Sequence, residues 1–171
     1  MTPDVSDAVT AAASDGVSSE TAEHGSHDFA LPERLTPVPE RSGLDEPYWA
    51  ALAERRLVVQ RCRACDAWQW GPEWICARCA SFDVGWQEVP PTDGEYRGEI
   101  FSWERVWHPT DRGLADAVPY VVVLVSLPTA GEVRMIGNLV GDPMRDVVIG
   151  TEVRAVIEAH DDYSLVQWER R

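Results

Sequence analysis

Lysine is missing from this chain: all 15 of its basic residues are arginine. Against 29 acidic residues they leave a net charge of −14. Affinity for duplex DNA or RNA rests on cationic contacts to phosphate, so this balance argues against a nucleic-acid partner. Long apolar runs are lacking too. The longest candidate, Val121-Val122-Val123-Leu124-Val125, suits a buried strand and is far too short to cross a bilayer. The chain does not start with the basic-then-apolar layout of a signal peptide, so the expectation is a cytoplasmic protein with no membrane partner. Cysteine is scarce, and all four are gathered in RCRACDAWQWGPEWICARC, residues 61–79. Catalytic signatures are lacking as well: there is no GxSxG, P-loop, GxGxxG or HExxH. His108 near Asp111 and His160 before Asp161 both fall at expected strand ends, where polar turn residues are ordinary. No nucleophile, base and oxyanion donor come together, which points to a binding or accessory module without intrinsic activity.

What is present divides the chain into four. Residues 1–30 carry six acids, no arginine and little to bury, so they read as a disordered acidic tail or a linker from a longer polypeptide. Residues 31–56 read as a Pro-rich extended arm and a helix within LDEPYWAALAERRL. Asp45 is placed to cap that helix and Pro47 suits its first turn. Tyr48, Trp49, Leu52 and Ala53 share one face, which packs on its own domain or docks a partner. Residues 57–90 hold the cysteines, entered by the strand LVVQR. Residues 91–171 alternate like strands near 95–107, 119–127, 132–140, 151–158 and 163–169, with DPMRDVV as a single helical turn between the third and fourth. The fold class expected is mainly β, with the arm and helix, a rubredoxin-like ribbon, and then a five-stranded OB-type barrel.

Each CxxC turns two thiolates to one side, and two such turns make a tetrahedral sulfur cage. Cys62 and Cys65 form the first turn, Cys76 and Cys79 the second, with ten residues between them. Four thiolates leave no open coordination position, so the ion they hold is structural. Zinc is the first reading; iron uses the same spacing, while a redox dithiol or two disulfides fit less well. Residues 54–79 carry five arginines and three acids, a local charge of +2 inside an acidic chain. Arg56, Arg63 and Arg78 therefore offer forks for carboxylate or phosphate, or simply a solvated face. Trp68, Trp70 and Trp74 either cover the small ribbon core or, with Tyr48 and Trp49, present an aromatic surface to a partner. A stand-alone CoA-thioester module is a competing reading. A single-strand nucleic-acid binder stacking bases on Phe101, Trp103 and Trp107 is another.

The order PYWAALAERRLVVQRCRAC, WGPEWICARC, GEIFSWERV, VPYVVVLVSL, IGNLVG and VVIGTEVRAVIE resembles one family over residues 36–169. It is the zinc-ribbon/OB-fold family of acyl-CoA metabolism, the DUF thirty-five proteins. The resemblance implies an accessory subunit that pairs, in a hetero-oligomer, with a thiolase-fold acyl-CoA enzyme such as a thiolase or the aldolase of steroid side-chain degradation. The partner would supply the catalytic residues, and this chain would stabilise it or shape its acyl-CoA channel, with a hydratase fused or adjacent. Cys62, Cys65, Cys76 and Cys79 carry over as zinc ligands. Asp66 and Ala80 depart from the family, standing where glycine commonly follows the CxxC.

Overall fold

The computed structural model describes Leu31 and residues 43–171; the acidic tail and most of the Pro-rich arm lie outside the described residues. The first element, α1 (Glu46–Ala53), is one short helix with Pro47 in its first turn. Asp45 occupies the cap position without a side-chain cap bond. Its carboxylate instead accepts from Trp49 Nε1 at 2.9 Å, one turn along. The face that goes inward is Tyr48, Ala51 and Leu52; Ala53, expected on it, is exposed. The helix ends at Ala53, so the buried row is set by spacings of three and four from Tyr48 and never returns to Ala53.

A small sheet follows, with order β2-β1-β3, built from β1 (Val58–Cys62), β2 (Trp68–Gln69) and β3 (Val84–Glu88). β1 runs continuously buried at Val58, Val59 and Gln60, because it lies between its two partners and the rest of the core. The second sheet has order β6-β5-β4-β7-β8. Its strands are β4 (Arg97–Val106), β5 (Tyr120–Leu127), β6 (Val133–Asn138), β7 (Glu152–Ala159) and β8 (Ser164–Arg170). All named pairs are antiparallel. A parallel bridge from Leu139 to Trp168 then brings β6 against β8 and closes the five strands into a near-complete OB-type barrel.

β5 shows the clean alternation of a half-buried strand: Val121, Val123, Val125 and Leu127 are inward, and the residues between them are not. A bulge between Ile100 and Ser102 shifts the register of β4 and turns Phe101 outward. Where DPMRDVV was expected to make a helical turn, the chain makes only a hydrogen-bonded turn, Arg145 N–H to Asp142 O at 3.2 Å, with no helix. Asp142 Oδ1 accepts from Met144 N–H at 2.8 Å, a local side-chain bond that favours a turn over a continuing helix.

One core runs through all of this. Tyr48 and Leu52 from α1, Val58 and Val59 from the ribbon sheet, and Val121, Val123, Val153 and Trp168 from the barrel belong to a single buried cluster. The ribbon therefore shares the barrel's interior and leans on it. Close approach fixes two glycines here. A Cβ on Gly98 would meet Ser126 O at 2.6 Å, and one on Gly137 would meet Val166 O at 2.7 Å.

Candidate metal centre and the surface around it

The two knuckles are built alike. Cys62 N–H donates to Ala67 O and Cys76 N–H to Ser81 O, both at 2.8 Å. Asp66 N–H returns to Cys62 O at 3.0 Å and Ala80 N–H to Cys76 O at 2.9 Å. Closing each turn this tightly drives the residue after the second cysteine left-handed: φ is +60° at Asp66 and +58° at Ala80. These are the two positions where the sequence lacks the family's glycine, and the non-glycine residues adopt the conformation anyway. Asp tolerates it better than Ala.

The four Sγ atoms lie within 4.8 Å of one another. Cys62 and Cys79 are 3.6 Å apart, and Cys65 and Cys76 are 3.7 Å apart. A disulfide needs about 2.05 Å, so these are free thiols. A tetrahedron with metal–sulfur bonds of about 2.3 Å has edges near 3.8 Å, which is what the two short separations approach. Without a cation the four sulfurs cannot all be thiolates. Backbone N–H groups of Cys79 and Arg78 pull the Cys76 thiol down to about 7. Cys79 is pushed up to about 12: the Ser81 N–H favours its thiolate, but the sulfurs of Cys65, Cys62 and Cys76 and burial outweigh it. The donor set fits a structural metal with four sulfur ligands and no open position.

Two residues that sequence reasoning passed over hold the loop between the knuckles. Gln60 is buried on β1, opposite Gln69 on β2. Its Oε1 accepts from Gln69 Nε2 and from Glu73 N–H, both at 2.9 Å, and its Nε2 donates to Glu73 O at 3.1 Å. Gln69 in turn receives Ala77 N–H at 3.1 Å and donates to Ile75 O at 3.3 Å. A glutamine inside the apolar run LVVQR was the signal available, since a buried amide must be satisfied.

The eight residues named as a candidate partner or ligand surface separate into groups. Tyr48 is buried, 4.9 Å from Trp49 and 4.7 Å from Trp70 between ring centroids, with burial pushing its hydroxyl pKa up. Trp49, Trp68 and Trp70 are half-buried against the core. Trp68 lies under Arg61, 5.1 Å from ring to guanidinium, and against Gly131, where an added Cβ would come within 2.9 Å of Trp68 Cδ1. Trp74, by contrast, is 69% exposed. It flanks the second knuckle together with Ile75 and with Phe82, which is 80% exposed and was not singled out from sequence. Arg56 is committed to Glu54 at 2.6 Å, and Arg63 to Asp83 at 3.1 Å. The Arg78 side chain has no hydrogen bond or ion pair among the described residues.

On the barrel, Phe101 lies beneath the Arg134 guanidinium at 3.4 Å, Trp103 is half-buried, and Trp107 is exposed. The two histidines considered from sequence sit apart. His108 is exposed, while the neighbouring Asp111 carboxylate accepts from Gly113 N–H at 2.7 Å. His160 meets Glu158 at 2.7 Å and stacks on Tyr163 at 4.5 Å. No helix among the described residues is long and apolar enough to cross a membrane.

Comparison with known proteins agrees with this arrangement. Residues 49–85 match the model of the ChsH2 rubredoxin-like zinc ribbon domain, and residues 88–158 match that of the ChsH2 C-terminal OB-fold domain. A solved chain of the Ltp2-ChsH2(DUF35) aldolase superposes with a TM-score of 0.63 at 30% identity, covering 79% of this chain and 98% of that one. This chain belongs to the ChsH2 (DUF35) family. A DUF35 protein of unknown function from Sulfolobus solfataricus shares the fold, with a TM-score of 0.55 at 14% identity, over 76% of this chain and 87% of that one.

Two longer curated relatives also match. The probable enoyl-CoA hydratase alpha subunit of Thermomonospora curvata is 37% identical over 123 residues, 71% of this chain and 35% of that protein. The 3-oxo-4,17-pregnadiene-20-carboxyl-CoA hydratase alpha subunit of Mycobacterium tuberculosis is 43% identical over 74 residues, 43% of this chain and 22% of that protein. The chain thus spans about a third or less of the length of these relatives.

Proposed function

We propose that this chain is a non-catalytic accessory subunit that binds and stabilises a thiolase-fold acyl-CoA enzyme, an aldolase or a thiolase, and helps form its acyl-CoA channel. The observation that carries the reading is the likeness to the DUF35 chain of the Ltp2-ChsH2 aldolase, which extends over 98% of that chain. A sulfur cage with no open position supports it, because such a metal staples a fold and leaves the chemistry to the partner. Zinc is the ion assigned: four thiolates in a tetrahedron suit it, and the ribbon family bears its name. The exposure of Trp74 and Phe82, in a stretch that is locally positive, supports a partner-facing surface around the second knuckle. The hydratase names of the two longer relatives favour a hydratase, fused or adjacent, acting on the same acyl-CoA substrate, in keeping with steroid side-chain degradation.

The test is co-expression with the thiolase-fold enzyme of the native host, followed by size-exclusion chromatography and turnover of an acyl-CoA substrate. A stable hetero-oligomer, with activity that falls when this chain is left out, is the expected result. Equal solubility and equal turnover of the enzyme alone would sink the reading.

A further inference from the structure

The barrel presents an apolar outer face on β4, β5 and β6. On β5, Val121, Val123 and Val125 point inward, so Val122, Leu124 and Ser126 point outward. Strand register extends that face into rows. Glu99, Ser126 and Arg134 lie abreast, then Ser102, Leu124 and Ile136, then Glu104, Val122 and Asn138. The bulge adds Phe101 between the first two rows. Phe101 is 43% exposed and Ile136 64%, although both sit well inside their strands. Gly150 N–H donates to Ile100 O at 2.8 Å, which brings the exposed Ile149 to the bulge and widens the apolar strip. An apolar patch with a polar margin marks a contact surface.

The charges of the first row are unpaired. Glu99 makes no ion pair or side-chain hydrogen bond among the described residues, and across the ladder it faces another acid, Glu152. Glu152 already has Arg171 at 2.7 Å. Arg134 has no acid among the described residues either. Its guanidinium lies 3.4 Å over the Phe101 ring, while the Glu132 carboxylate two positions back accepts from the Ser126 hydroxyl at 2.5 Å. Glu99 and Arg134 stand two strands apart, about 10 Å, with β5 between them.

That placement makes the face complementary to itself. A two-fold axis running along β5, between two such faces, lays the β4 side of each copy over the β6 side of the other. Arg134 of each copy then meets Glu99 of the other, Leu124 meets Leu124 at the centre, and Ile136 comes over Ser102 beside Phe101. A two-fold at right angles to the strands would instead set Glu99 against Glu104. Sheets packed face to face stand about 10 Å apart with strands within about 30° of one another, a gap that an arginine and a glutamate span together. Such pairing of one patch with itself is the commonest symmetry of association.

We propose that this face joins two copies of the chain in a two-fold dimer, held by Arg134–Glu99 pairs around an apolar centre of Phe101, Leu124 and Ile136. Three strands give a contact at the small end of protein interfaces, so the dimer is reversible and depends on concentration. It does not use Trp74 or Phe82, which flank the second knuckle.

The experiment is sedimentation equilibrium of the full-length, metal-loaded chain over a range of concentrations. It is run in about 0.15 M salt, where repulsion between two acidic chains is screened beyond about 8 Å. A monomer–dimer equilibrium is expected. Ile136→Asp should weaken it about tenfold or more, because it puts a charge at the centre of the contact. Arg134→Glu and Glu99→Arg should each weaken it about tenfold by setting like charges together, and the two combined should restore it. Trp74→Ala should leave it unchanged. A chain that stays monomeric throughout overturns the proposal, as does a dimer indifferent to Ile136→Asp or not restored by the charge swap. A monomer whose Ile136→Asp variant loses assembly with the thiolase-fold enzyme assigns the face to that enzyme, and likewise overturns it. Should Ile136→Asp fail to fold, the charge swap decides alone.

Discussion

At the residue scale, a left-handed knuckle residue and a buried amide help set how firmly the ribbon holds. Ala80 is held at φ +58° with a Cβ that opposes it. Ala80→Gly should therefore stabilise the ribbon by about 0.5–1 kcal/mol, the left-handed penalty less the entropy that glycine adds to the unfolded chain. Urea unfolding followed by tryptophan fluorescence would register it, and the same change at Asp66 should gain less. Gln60→Ala should cost about 1–3 kcal/mol, because Gln69 and both polar groups of the Glu73 peptide lose a buried partner. It should also speed metal loss to a chelator, since the loop it pins leads directly into Cys76. Trp70→Ala should destabilise by less than the ~3–5 kcal/mol of a fully buried tryptophan, as it is only half-buried against Tyr48. An unchanged midpoint for Trp70→Ala would mean that its packing contributes nothing.

At the scale of elements, the ribbon and the barrel differ in what holds them. β1, β2 and β3 are short and depend on the knuckles for their connection, so metal binding and ribbon folding should be one event. The barrel has its own five-stranded ladder, near-closed by the Leu139–Trp168 bridge. A strong chelator should therefore abolish the structure of residues 58–88 while amide protection in β4 to β8 largely persists. Hydrogen exchange with mass spectrometry reads the two regions separately. Gly98→Ala should do the reverse, since its Cβ has backbone oxygen in the way and cannot be relieved by a side-chain rotation. The strands of the barrel were legible in sequence because alternation is a local signal, as in Val121, Val123 and Val125. β2 and β3 were not: two residues at Trp68–Gln69 show no period, and VGWQE owes its strand to pairing with β1 alone. The expected helical turn at DPMRDVV failed for a related reason, because the Asp142 side chain bonds Met144 N–H and the chain turns there.

For the whole molecule, the single core that joins helix, ribbon and barrel leaves Trp74 and Phe82 outside it. Trp74→Ala should accordingly leave both metal content and thermal midpoint unchanged while weakening assembly with a thiolase-fold enzyme by about tenfold or more, as truncation of an aromatic anchor does. Lost metal in that variant would place Trp74 among the ribbon's supports. The contrast with Trp70 is the useful one: the same residue type, four positions apart, is half-buried in one case and solvent-facing in the other.

The sequence by itself determined the fold class, the five barrel strands and the four-sulfur cage, because alternation and CxxC spacing act within a few residues and need no distant partner. It also determined the strain at Asp66 and Ala80, since the knuckle turn demands a left-handed residue whatever occupies it. Only the tertiary structure decided which tryptophan is core and which is surface, because burial depends on what lies opposite, and for Trp68 that is a turn more than sixty positions away at Gly131. It alone brought Leu139 against Trp168, since closing β6 onto β8 is a long-range event that no local pattern announces.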